Sequence, residues 1–70
     1  MDIFGQRLKK LREAKKLTQK QIGEILGIKE SQYRRYEIGL TKNPTVKIMI
    51  KLADYYQTSI DYLLGRIDKE

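Results

Sequence analysis

The 70-residue chain contains no cysteine and no histidine. The first absence excludes disulfides and thiol nucleophiles, and together the two exclude the usual zinc ligand sets. The second also removes the commonest general base, so no catalytic constellation is in view and an enzyme ranks last among the function classes. Long apolar runs are missing too. None approaches the roughly 20 residues that cross a bilayer, and the opening MDIFGQRLKK has no apolar signal-peptide region. The expectation is a cytoplasmic protein with no membrane, metal or cofactor. Acidic residues are the minority, 9 Asp+Glu against 15 Lys+Arg, which leaves a formal charge of +6. That balance suits a polyanionic partner, nucleic acid before an anionic membrane surface. Asp54, Asp61 and Asp68 recur at seven-residue spacing but are not confined to one helix, so they read as surface charges, not metal ligands.

What remains is helical almost throughout, with no sustained two-residue alternation. Phe4, Leu8 and Leu11 form a first apolar stripe that ends before AKKL. Thr18 is placed to cap a second helix carrying Ile22, Ile25 and Leu26, with Gly27 as its left-handed stop. A third helix spans Lys29–Ile38 and closes at Gly39. LTKNP is turn chemistry around the single proline, Pro44, which restricts Asn43 to extended backbone. From Thr45 a fourth helix presents Val46, Met49, Leu52, Ala53 and Tyr56. Ser59 caps a short fifth helix through Ile60, Leu63 and Leu64, closed by Gly65. Residues 1–66 therefore read as one all-α domain, and 67–70 as a polar tail.

The third helix is lopsided. At 3.6 residues per turn, Tyr33, Tyr36 and Glu37 share one side, while Glu30, Ser31, Arg34, Arg35 and Ile38 share the other. The tyrosines suit a core. The opposite side is a row of hydrogen-bonding groups, two of them guanidinium forks. A helix Gln19–Leu26, a tight glycine-bearing turn and this helix make a helix-turn-helix layout, whose second helix enters the DNA major groove.

The segments LTQKQIGEILGI, YRRYEIG, NP, IKLADYY and TSIDYLLGR, in that order from about Phe4 to Arg66, resemble the phage Cro/C1-type repressor family, also called the XRE family. The resemblance implies a compact five-helix lambda-repressor-like DNA-binding domain. By the same resemblance Glu30, Ser31 and Arg35 stand at base-reading positions. Arg34 lies on the same face, closer to Glu30, and suits a base or a phosphate at the groove edge, or an internal pair with Glu30 four residues back. Gln19 matches a glutamine that holds a phosphate and braces the recognition helix, with Thr18 beside it. Thr41, Lys42 and Asn43 match the loop that grips the DNA backbone, and Gln32, on the flank of the helix, suits a phosphate better than a base. Arg12 and Glu37 match an ion pair between the first and third helices. The dimer surface of the family lies around the fifth helix, where this chain offers Ile60, Tyr62 and Leu63; at least one of these is expected to face solvent.

The chemistry of these side chains agrees with the roles. An arginine fork matches the two major-groove acceptors of guanine, serine donates or accepts, and a carboxylate accepts from cytosine N4. Glu30 also repels phosphates, which disfavours wrong sequences. The expected function is a sequence-specific double-stranded DNA-binding regulator, a bacterial or phage repressor at the nucleoid, acting as a homodimer on a palindromic operator. An antitoxin-like or accessory module that binds a protein partner and autoregulates its operon is the alternative. The sequence departs from the family pattern at Lys29, where a Ser, Thr or Asp cap is commoner, at Gly23 in place of alanine, and at Tyr33 in place of an aliphatic residue.

Overall fold

Helix starts are set by short polar side chains. Asp2, Thr18, Thr45 and Ser59 each accept a hydrogen bond from a backbone N–H three residues on, satisfying groups that would otherwise lack partners in the first turn. The structure, a computed structural model, describes residues 2–41 and 44–68. Five helices result: α1 (Ile3–Ala14), α2 (Gln19–Leu26), α3 (Glu30–Glu37), α4 (Val46–Tyr56) and α5 (Ile60–Leu63). No strand occurs among the described residues. At Thr18 the cap is reciprocal. Its hydroxyl accepts from the Gln21 N–H at 3.0 Å, while the Gln21 side chain accepts from the Thr18 N–H at 2.8 Å. Gly27 ends α2 at φ +75°, a conformation that glycine adopts without steric cost.

The core is shared by all five helices: Phe4, Leu8 and Leu11; Ile22 and Leu26; Tyr33 and Tyr36; Ile48, Met49, Leu52, Ala53 and Tyr56; Tyr62 and Leu63. α3 lies against α2 and α1, while α5 fits between α1 and α4. Phe4, Tyr36 and Tyr33 meet edge to face, with ring centroids 6.3 Å apart in each pair, the arrangement that aromatic quadrupoles favour. α1 approaches α3 through Gly5. A Cβ there would lie 2.2 Å from the carbonyl oxygen of Glu37, so the two backbones touch where any other residue would separate them.

Three expected core positions lie outside. Val46 is 73% exposed, because it starts the first turn of α4 and Ile48 takes the inward place. Ile25 and Leu64 also face solvent. The expected dimer positions need a larger correction. Tyr62 is 3% exposed and Leu63 fully buried, and Ile60 is half-buried against the core. A one-turn helix with neighbours on two sides can place adjacent residues in the same core, and the Arg7 guanidinium covers the outer face of Tyr62 at 4.1 Å from the ring centroid. Arg7 also donates to the carbonyls of Tyr62 and, at 2.6 Å, Ile67. It thus caps the end of α5 and ties the first residue of the expected tail to α1. Lys69 and Glu70 lie outside the described residues.

Candidate nucleic-acid interface

The position of α3 is fixed by a buried charge. Glu37 is only 2% exposed, and an unanswered carboxylate at that depth would be expensive. Arg12 answers it bidentately, Nε donating to Oε2 at 2.7 Å and Nη2 to Oε1 at 3.1 Å. The remaining Arg12 nitrogen donates to the carbonyl of Leu17 at 2.8 Å, at the entry to α2. Gln19 Nε2, from the first residue of α2, donates to Glu37 Oε1 at 3.2 Å. One carboxylate therefore joins α1, α2 and α3. Burial alone would push the Glu37 carboxyl up, but Arg12 first, then the neighbouring Tyr33 phenol and the Gln19 amide, hold it below its ordinary range. The hydrogen bond to Glu37 correspondingly raises Arg12.

Tyr33 lies fully inside, where an aliphatic residue was the family pattern. Burial, reinforced by the nearby Glu37 and Tyr56, pushes its phenol far above the ordinary range. Burial likewise pushes Tyr56 up to about 12. Both phenols are thus neutral fillers of the core, not bases poised for chemistry.

The outward side of α3 is left to polar groups. Glu30, Ser31, Gln32, Arg34 and Arg35 are all exposed. Among the described residues neither Arg34 nor Arg35 has an ion-pair partner, and the internal Glu30–Arg34 pair that helical spacing permits is not formed. Both guanidinium forks remain available. Lys29 begins the helix without a side-chain cap. The turn before it passes close to Gly23: a Cβ there would meet the carbonyl oxygen of Ile28 at 3.1 Å, a tight contact that a shift of a few tenths of an ångström would relieve.

The other expected contacts fall around this face in two places. Thr18 and Gln19 stand at the start of α2, the threonine hydroxyl accepting its capping bond and keeping its own proton for another acceptor. Gln19 is half-buried because its amide turns toward Glu37. Thr41 follows α3, drawn back by the Arg35 carbonyl, which accepts from the Leu40 N–H at 2.9 Å and the Thr41 N–H at 3.3 Å. Lys42 and Asn43 lie outside the described residues. Between α3 and this returning loop is a recess of about 420 Å³ lined by Ser31, Gln32, Arg35, Tyr36 and Thr41.

Comparison with known proteins decides the family. A family profile described as Helix-turn-helix matches residues 8–63. The chain belongs to the helix-turn-helix family. Its members are DNA-binding transcriptional regulators and not enzymes. Within the family the chain is 46% identical over 66 residues to an uncharacterized HTH-type transcriptional regulator, YobD, of Bacillus subtilis, covering 94% of this chain and 58% of that protein. The fold matches the P22 c2 repressor in complex with a synthetic operator, with a TM-score of 0.82 and 26% identity over 91% of this chain and 96% of that one. It also matches the N-terminal DNA-binding domain of SinR from Bacillus subtilis, with a TM-score of 0.79 and 27% identity over 89% and 90% of the two chains. The chain spans little more than half the length of the curated relatives it matches. Among the described residues no helix is long and apolar enough to cross a membrane.

Two residues that hold the domain together were not singled out from the sequence. Gly5 had a signal, since a glycine inside a helix costs about 1 kcal/mol against alanine and needs a reason. Arg7 had none, because its acceptors lie 55 and 60 residues away.

Proposed function

We propose that this helix-turn-helix chain reads a specific double-stranded operator and acts as a transcriptional repressor in the cytoplasm, at the nucleoid. One observation carries the reading: an exposed helix face bearing two arginines without ion-pair partners among the described residues is locked to the rest of the domain by a buried ion pair. That is how a rigid element presents hydrogen-bonding groups to base edges. Glu30, Ser31, Arg34 and Arg35 read bases from α3. Thr18, Gln19, Gln32, Thr41, Lys42 and Asn43 hold the phosphates that set its register. The likeness to a repressor bound to an operator supports the same docking. Residues 1–66 form the DNA-binding domain, followed by the tail 67–70.

One recognition helix covers too few base pairs for specificity against a genome, so the operator is palindromic and bound by a homodimer, its half-sites about 34–36 Å apart. With Tyr62 and Leu63 committed to the core, the apolar groups left near α5 are the exposed Leu64 and Ile67, the half-buried Ile60, and Ile3, which packs beside Gly65. Such a patch is small, and the dimer is completed on DNA. Selection from randomised duplexes, followed by footprinting and weighing of the complex, tests the proposal. A palindromic consensus holding two chains is expected. Enrichment of no sequence refutes specific reading, and one chain per palindrome at saturating protein refutes the dimer.

A further inference from the structure

Tyr36 as a whole residue is 3% exposed, its ring packed edge to face on Phe4 and Tyr33. Its phenol end reaches the margin of the core, where its hydrogen bond with the exposed Gln32 is only part-buried. It lines the recess between α3 and the loop that follows, together with Ser31, Gln32, Arg35 and Thr41. Gln32 Nε2 donates to the Tyr36 oxygen at 3.4 Å. An amide N–H is only a donor, so this bond uses the phenol as acceptor and leaves its own proton free. No acceptor among the described residues takes that proton. The recess holds a guanidinium and two hydroxyl groups besides amide and ring, and no carboxylate lines it. An acceptor that is anionic, compact and rich in oxygen fits such a lining.

We infer that the Tyr36 hydroxyl donates a hydrogen bond to a backbone phosphate of bound duplex DNA, held in the recess with Thr41 on the opposite wall and Gln32 orienting the phenol. The inference rests on the DNA-binding reading above and adds a core aromatic residue to its phosphate-holding set. Helical spacing alone assigns Tyr36 wholly to the interior, because the wheel shows where a side chain leaves the helix and not where a long ring ends. The ring packs on Phe4 at one side and the residue lines the recess at the other, so its hydroxyl is anchored by packing. A donor fixed in this way loses little conformational freedom on binding.

Tyr36→Phe keeps the ring and deletes the donor. Wild type and variant are titrated with the selected operator and with a scrambled duplex at several salt concentrations. A hydrogen bond to a charged oxygen predicts binding about 10- to 150-fold weaker for the variant, by the same factor on both duplexes. The salt slope should not change, since a neutral phenol releases no counterion. Single neutral methylphosphonate replacements along the operator then locate the contact. At one phosphate per half-site the wild type should lose its advantage over Tyr36→Phe, and elsewhere keep it. A merely structural tyrosine would give the same ratio at every phosphate, which overturns the inference. Equal affinity of wild type and variant overturns it too, as does a loss confined to the operator, which would mark a base contact. Failure of the wild type to bind any duplex removes the DNA-binding reading and this inference with it.

Discussion

Replacing Arg12 by methionine tests what holds the recognition helix. The guanidinium and the carboxylate are 12% and 3% exposed as side chains, so neither has water to fall back on. Arg12→Met takes from Glu37 the bonds at 2.7 and 3.1 Å and leaves it the Gln19 amide at 3.2 Å and the neighbouring Tyr33 phenol. Stranding one member of a buried pair costs about 3–5 kcal/mol. A core of this size contributes roughly 3–5 kcal/mol net, so the variant should be near or past its unfolding midpoint at room temperature. Glu37→Leu should cost less, because Arg12 keeps its bond to the Leu17 carbonyl at 2.8 Å and its long stem can lift the charge toward solvent. The double variant should cost less than the sum, with a coupling in the upper part of the roughly 0.5–3 kcal/mol seen for contacting residues. Urea denaturation followed by far-UV circular dichroism, at low temperature for the weakest variant, gives the cycle.

Acid adds an independent arm. In the wild type the folded Glu37 carboxyl is held below its ordinary range. Its stabilising contribution is therefore present above the unfolded pKa, about 4.3, and is lost as pH falls through the folded value. In Arg12→Met burial acts with no cation to oppose it, the folded carboxyl moves up, and that contribution changes sign: stability rises as pH falls from neutrality toward the unfolded pKa. Strict additivity in the cycle, or the same response of both proteins to acid, would refute the pairing as the lock on α3.

Gly5→Ala should destabilise by about 1–3 kcal/mol or more, the range for overpacking, because its new methyl group would meet a backbone carbonyl at 2.2 Å; thermal melts decide, and an unchanged Tm would contradict the close crossing. Arg35→Ala should relax preference at one base pair, costing roughly 1–3 kcal/mol there, whereas Lys42→Ala should weaken every duplex alike; a uniform loss in Arg35→Ala would make it a phosphate contact. Above about pH 10, where an unfolded tyrosine ionises, stability should fall as pH rises toward 12, since the buried Tyr56 phenol keeps its proton up to about 12 while the unfolded chain gives its proton up. An alkaline melt series checks this against Tyr56→Phe, in which the fall should shrink.

Much of this arrangement was legible because it is local. The Thr18 cap, the Gly27 stop and the inward pair Tyr33 and Tyr36 each depend on residues within a turn or two of one another. The family pattern extended this to Arg12 and Glu37, 25 residues apart. The losses came where tertiary placement decides. Val46, Ile25 and Leu64 have the spacing of core residues, but each lies at the margin of its helix face, and only the position of the neighbouring helix fixes which side of the margin is covered. Tyr62 and Leu63 were misplaced because a single helical turn was read as having one buried side, while α5 has neighbours on two. Gly5 was passed over although a glycine inside a helix asks for a reason; only the fold shows that the reason is the crossing of α1 and α3.

The most direct test of DNA reading by α3 is a salt titration of the unmodified protein against its selected operator and a scrambled duplex of the same length. Each phosphate neutralised by a cation should add about 0.9 to the steepness of the log–log salt dependence. The operator should be preferred at every salt concentration. Affinity indifferent to salt, or equal for the two duplexes throughout, would contradict it.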